Sequence, residues 1–124
     1  MAEHPFKLTF NAHPGYLHVL VEGAMDSLAI SNMICAEVSS VCWARRCRKL
    51  LYEEDLGSQL SQEEMVQFAT AAGYFGLEGM QIAVVDRRNG DFEGNQLGVE
   101  IARTRQVNVR LFRTVAAAEA WLTA

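Results

Sequence analysis

Residues 50–85 read LLYEEDLGSQLSQEEMVQFATAAGYFGLEGMQIAVV, and this stretch decides the fold. It begins with a short apolar run, Leu50 to Tyr52, which predicts a strand that is covered on both faces. It ends with a second run of the same kind, Gln81 to Val85. Between the two runs, Ser61-Gln62-Glu63-Glu64 has the spacing of a capping box at the start of a helix. A strand, a helix and a second strand in this order predict a crossover unit with parallel strands.

The sequence before this unit predicts a hairpin followed by a long helix. Apolar and polar residues alternate from Phe6 to Phe10, as they do in a half-exposed strand. His13-Pro14-Gly15 contains the proline and glycine typical of a turn, and Tyr16 to Val21 is a second, more apolar strand. Asp26-Ser27 is a helix cap, and the helix is expected to run to about Arg45. We expect this helix to bury an apolar stripe made of Ile30, Met33, Ile34, Val38, Val41 and Cys42.

The sequence after the unit predicts a further crossover and a final helix. Asp91 is a cap for a third helix that packs through Leu97, Gly98, Ile101 and Ala102. Val107 to Phe112 alternates as a strand, and Thr114 caps the last helix. The predicted element order is therefore ββαβαβαβα. It corresponds to a single α/β domain over residues 1–124, with a mixed, mostly parallel five-stranded sheet and four helices.

Composition excludes several classes of protein. Half of the 124 residues are apolar and the formal net charge is −4, so the chain is neither disordered nor a typical nucleic-acid binder. No apolar run reaches the ~18 residues of a membrane span, and the first residues lack the features of a secretory signal. Three clustered cysteines are an odd number, and we expect them to be reduced. We therefore expect a cytoplasmic protein with no nucleic acid partner and no membrane span.

Few residues carry recognisable chemistry. His13 and His18 have no cysteine or carboxylate nearby at metal-ligand spacing, and Cys35 and Cys42 share a helix face that we expect to be core. Three acidic segments follow predicted strands: Asp26, Glu53-Glu54-Asp55 and Asp86. Solvation of strand ends explains them, and a Mg²⁺ site is the alternative. We predict no catalytic residue, no metal and no cofactor.

Short motifs along nearly the whole chain resemble the SpoIIAA-like branch of the STAS superfamily, the sulfate transporter and anti-sigma-factor antagonist domains. The motifs are Val21-Glu22-Gly23, Cys47-Arg48-Lys49-Leu50-Leu51, Ile82-Ala83-Val84-Val85, Val109-Arg110-Leu111-Phe112-Arg113 and Ala118-Glu119-Ala120-Trp121-Leu122. The resemblance implies a regulatory module that binds a partner protein and is not an enzyme. In some members a serine is phosphorylated in an Asp-Ser-Ser-Gly-like turn after the third strand. The corresponding stretch here does not match that turn, and Ser58 is its nearest loop hydroxyl.

The resemblance places the candidate partner-binding or switch surface just after the third strand. Its residues there are Asp55, Gly57, Ser58 and Ser61. The aromatic pair Tyr74 and Phe75, which follows the second helix, completes the candidate surface because exposed aromatic residues are typical of a docking surface. The alternative function is a carrier that holds a small apolar or lipid-like ligand between the sheet and the region of Phe68, Tyr74 and Phe75. The partner is thus an unknown protein or a small apolar ligand. A homodimer through the Val107 to Phe112 edge or the hairpin is left open.

Overall fold

The computed structural model describes residues 5–71, 77–88 and 92–124. The strands are β1 (Phe6–His13), β2 (Tyr16–Gly23), β3 (Lys49–Leu56), β4 (Gln81–Asp86) and β5 (Asn108–Phe112). The helices are α1 (Leu28–Ala44), α2 (Gln62–Ala71), α3 (Phe92–Thr104) and α4 (Val115–Leu122).

All five strands form one mixed sheet in the order β1-β2-β3-β4-β5. β1 and β2 form an antiparallel hairpin, and each later strand pairs in parallel with the strand before it. The predicted fold class, the element order and the antiparallel edge are confirmed. β1 and β5 are the two edges of the sheet, and pairing of either edge between two chains stays a prediction.

The helices lie on both faces of the sheet. Successive right-handed crossovers that step in one direction put their helices on the same face, and α1, α2 and α3 accordingly pack together on one side. The α4 helix packs on the other side, against β3, β4 and β5. The larger core therefore lies under α1, α2 and α3. No helix in the described ranges is both long and apolar enough to cross a membrane.

Three predicted helix starts have the expected hydrogen bonds. The Ser27 side chain accepts from the Ile30 amide, and the Thr114 side chain accepts from the Ala117 amide. At α2 the capping box is reciprocal: the Glu64 amide donates to Ser61 Oγ and the Ser61 amide donates to Glu64 Oε1, both at 3.1 Å. Since each bond satisfies an amide that the helix leaves unpaired, the local sequence itself determines where these helices begin.

Several finer sequence expectations differ from the structure. Met33 is 44 % exposed, so it is not part of the buried stripe of α1, whereas Ile34 and Val38 are. In α3, Val99 is buried although we did not expect it to be. The expected cap Asp91 lies outside the described residues.

The largest difference concerns the acidic run after Tyr52. Glu53, Glu54 and Asp55 lie inside β3, not beyond its end, because backbone pairing with β2 continues to Leu56. In a strand, consecutive side chains point to opposite faces of the sheet. Glu53 and Asp55 therefore face the α4 side, and Glu54 faces the side of α1, α2 and α3. This division positions the site described next.

Candidate functional site

A cavity of about 150 Å³ lies between the sheet and the three helices on its larger core side. Most of its wall is apolar, and every strand and helix on this side except β1 and β2 contributes to it. The apolar wall consists of Cys35, Val38, Leu50, Leu60, Met65, Phe68, Ala69, Leu77, Ile82, Val84, Gly98, Val99, Ala102, Val107, Val109 and Leu111. Protein cores are normally packed with few voids larger than a water molecule, so an apolar space of this size is a candidate ligand site.

The polar residues of the wall are gathered at one end. They are Asp26, Ser31, Tyr52, Glu54, Gln59 and Asn95. Along β3, Leu50, Tyr52 and Glu54 succeed one another on the same face, so the wall changes from apolar to acidic towards the carboxyl end of the strand. In open α/β sheets, ligands bind at the carboxyl ends of the strands, which is the polar end of this cavity.

Glu54 is the most unusual group in the wall. Within the described ranges, no donor forms a hydrogen bond or ion pair with its carboxyl group. It lies directly opposite Asp86 of β4 in the parallel register, on the same face of the sheet. Burial, followed by repulsion from Asp26 and Asp86, raises its pKa to about 8. Glu54 is therefore mostly protonated at neutral pH, and it directs a partnerless carboxyl group into the cavity.

The neighbouring acids differ from Glu54 because they have donors. Asp26 Oδ1 accepts from Ser31 Oγ at 2.7 Å and from the Ser27 amide at 2.8 Å, although burial still raises the pKa of Asp26. Asp86 accepts from the side chains of Gln59 and Asn95. These bonds fix the positions of both acids beside Glu54. The cavity therefore has an organised polar end with a single unsatisfied carboxyl group.

Tyr52 is the second polar group of the wall whose side chain has no hydrogen-bond donor or acceptor among the described residues. Burial, and then the nearby Glu54, raises its pKa well above the ordinary value, so the phenol stays neutral. No lysine, arginine or histidine of the described chain lines the cavity. The polar end therefore combines acidic side chains with the neutral Tyr52 phenol, and no basic side chain among the described residues is present to pair with a bound anion.

A second polar cluster lies on the opposite face of the sheet, where it is formed by residues of β2, β3 and the end of β4. Glu53 is 7 % exposed and accepts from His18 Nε2 at 2.9 Å and Arg87 Nε at 3.1 Å. Asp55 accepts from Arg88 Nε at 2.7 Å, and that hydrogen bond lowers the pKa of the Asp55 carboxyl. The Glu53 and Asp55 carboxylates therefore each accept a hydrogen bond from an arginine, so these two acids have donors within the cluster.

The four candidate residues from the sequence that the structure describes do not converge on the cavity. Asp55 belongs to the paired cluster on the other face. The Gly57 amide donates to Gly23 O at 3.0 Å, and Ser58 Oγ accepts from the Asp26 amide at 3.0 Å. Ser61 is part of the capping box. A partner-binding or switch role for these four residues stays a prediction.

Tyr74 and Phe75 lie outside the described residues, so their predicted exposure stays a prediction. Phe68, named with them for the carrier alternative, does line the cavity. Sequence reasoning missed Glu54 and Tyr52 as a polar end. The sequence did contain a signal for Glu54. Alternate residues of a strand face the same side, so Leu50, Tyr52 and Leu56 place the acid between them on the inward-facing side.

The other candidates for chemistry are accounted for by packing. Cys35 and Cys42 are buried free thiols, as expected, and burial raises the pKa of each to about 12. Within residues 5–71, 77–88 and 92–124, no three histidine, cysteine, aspartate or glutamate side chains are grouped so as to hold a metal ion.

Comparisons with known proteins bear on the fold. No protein-family model matches the chain, and no curated protein matches it. Among solved structures, the chain is similar to an uncharacterised protein of the DUF3478 family with a SpoIIAA-like fold from Shewanella loihica PV-4. The TM-score is 0.58 at 13 % sequence identity, and the match covers 98 % of this chain and 97 % of that one. The chain therefore has the SpoIIAA-like fold that its sequence motifs indicate.

Proposed function

We propose that this protein binds a small, mainly apolar molecule in the cavity between the sheet and α1, α2 and α3, as a carrier or sensor and without catalysis. The observation that carries the proposal is the cavity itself, an apolar space with polar groups at one end. That combination is the usual form of a small-molecule site, in which apolar walls supply affinity and a few polar groups orient the ligand.

The size of the cavity limits the ligand. An engineered cavity of about 150 Å³ in another protein, lined by leucine, isoleucine and phenylalanine, binds benzene. The cavity here has the same volume, so it suits one aromatic ring or a short alkyl chain with a small polar group. A two-chain phospholipid is too large for it. The lipid-like alternative is thereby narrowed to small amphiphiles.

Two measurements test this function. Native mass spectrometry of freshly purified protein is expected to detect a bound small molecule that denaturation releases. NMR spectra of methyl groups are expected to shift on addition of toluene, with the largest changes at Val99 and Val109, which line the cavity. The proposal is wrong if no added mass appears and toluene leaves these methyl signals unchanged up to its solubility.

A matched pair of variants links binding to the cavity. Ala69→Leu adds an isopropyl group inside the wall and is expected to abolish toluene binding, since Ala69 is buried and lines the cavity. Ala36→Leu adds the same group on the exposed side of α1 and is expected to leave binding unchanged. Circular dichroism of both variants controls for folding. Equal toluene binding by the two variants places the site elsewhere.

The protein-binding regulatory role stays a second prediction. What supports it is the exposure of Gly57, Ser58 and Ser61 in the segment before α2. If this segment docks a protein, Ser58→Arg removes a partner that co-purifies with the unaltered chain, whereas Ala36→Arg on α1 retains it. Equal recovery of that partner with both variants contradicts the prediction.

A further inference from the structure

We infer that the ligand of this cavity is a small apolar amine, bound with its ammonium group against the Glu54 carboxylate. The inference deepens the proposed function and rests on it. The cavity volume and the apolar wall admit several chemistries, including hydrocarbons, alcohols, acids and amines. The charges at the polar end distinguish among them.

The charged side chains at the polar end of the cavity are acids. Asp26 and Glu54 line the polar end, Asp86 lies opposite Glu54 across the β3–β4 pairing, and none of the described residues of the wall is basic. A carboxylate or phosphate ligand would bring another negative charge beside these acids, with no cation to compensate it. An ammonium group carries the charge opposite to that of each of these acids in its ionised form.

The Glu54 carboxyl group has no hydrogen-bond donor among the described residues. Glu54 is half-buried, and its carboxyl group opens into the cavity, where a ligand can reach it. Asp26 and Asp86 obtain donors from the chain, and Glu54 obtains none from the described residues. A donor on a ligand supplies what is missing. An ammonium group supplies it with a charge, and charge-assisted hydrogen bonds are the stronger kind.

The binding of an amine is coupled to the protonation of the Glu54 carboxyl group. The groups that face Glu54 are Asp26 before α1, Asp86 of β4 and Tyr52 of its own strand. Cys35 of α1 and Asn95 of α3 line the same wall. The contribution of α2 is the charge of Glu64, which raises the pKa of Asp26. With a pKa of about 8, Glu54 is protonated in the empty protein at pH 7. When an ammonium ion binds, Glu54 loses its proton to the solvent and the ammonium retains its own protons.

The experiment compares four probes that share one ring: benzylamine, benzyl alcohol, toluene and benzoate. Binding is measured by titration calorimetry or by NMR. We expect benzylamine to bind at least tenfold more tightly than benzyl alcohol at pH 8.5, and benzoate not to bind. Between pH 6 and 8 the dissociation constant of benzylamine is expected to fall about tenfold per pH unit and then level off. Toluene binding is expected to be independent of pH.

Two variants separate the role of the charge from that of the cavity. Glu54→Gln keeps the shape, so it is expected to abolish the preference for benzylamine and to leave toluene binding unchanged. Glu63→Gln removes an exposed carboxylate from α2 and is expected to retain the preference. If toluene binds but benzylamine has no advantage over benzyl alcohol, or if benzoate binds best, the amine inference is wrong and the cavity function stands. If none of the four probes binds, both are wrong.

Discussion

Replacing Glu54 with glutamine is expected to stabilise the ligand-free protein, and to do so only above acidic pH. An unfolded chain ionises this carboxyl group near its ordinary pKa of 4.5, whereas the folded protein retains the proton up to about pH 8. Because the folded state binds more protons in this interval, stability falls as the pH rises from 4.5 to 8. Below 4.5 the group is protonated in both states and the cost vanishes.

The magnitude follows from the two pKa values. Each unit of pKa difference corresponds to about 1.4 kcal/mol, so the raised value costs roughly 5 kcal/mol once the pH exceeds 8 and roughly 3 kcal/mol at pH 7. Glutamine has nearly the same shape and never ionises, so the variant avoids this cost. For a domain of this size, 3 kcal/mol corresponds to a midpoint temperature higher by about 10 °C.

The assay is urea denaturation of the unaltered protein, Glu54→Gln and Glu63→Gln from pH 4.5 to 9. We expect the difference in free energy of unfolding between Glu54→Gln and the unaltered protein to start near zero and to increase to a plateau above pH 8. The exposed Glu63→Gln variant is expected to have no such dependence. A difference that stays constant with pH would refute the assignment of Glu54 as a half-buried acid with a raised pKa and no donor among the described residues.

Three further predictions concern the rest of the fold. Gly57→Ala is expected to destabilise the protein by about 1–3 kcal/mol in urea denaturation, because a Cβ at Gly57 would lie 2.0 Å from the carbonyl oxygen of Ala24; unchanged stability contradicts this close approach. Ser61→Ala is expected to cost about 1 kcal/mol, since it removes the acceptor of the α2 capping box; a Ser61→Asp variant that restores the loss is the control. Cys35 and Cys42 are expected to resist iodoacetamide until urea unfolds the chain, because burial raises both pKa values to about 12; labelling of the folded protein, read by mass spectrometry, contradicts this.

The architecture was predictable because local chemistry determines it. The Ser61–Glu64 capping box, the alternation along β5 and the apolar runs of β3 and β4 each specify one element without help from distant residues. Crossover rules then specify how the elements assemble. The hairpin and the parallel order follow from patterns that each lie within a single segment of the chain.

The acidic run of β3 could not be placed in the same way. Glu53, Glu54 and Asp55 are consecutive acids, so they break the alternation that marks a strand. What keeps them in the strand is pairing with β2 and β4, and Glu53 is neutralised by His18 and Arg87, both more than thirty positions away in sequence. A pattern read from neighbouring residues does not contain these contacts.

The cavity was named from the sequence only as an alternative, with Phe68 in its wall. Its volume depends on how far the helices stand from the sheet, which is set by packing among side chains such as Met65 against Gly98. Its polar end depends on the register that places Glu54 opposite Asp86. Both are properties of the assembled core, and neither has a signature in any one segment of the chain.

The most direct test of whether the cavity is the binding site is a search for intermolecular nuclear Overhauser effects between bound benzylamine and the methyl groups of the protein. We predict contacts from the ring to Val99 and Val109, with the methylene protons beside the nitrogen nearest to Glu54. Contacts confined to exposed methyl groups, such as those of Val66, would contradict the claim that this cavity is the binding site.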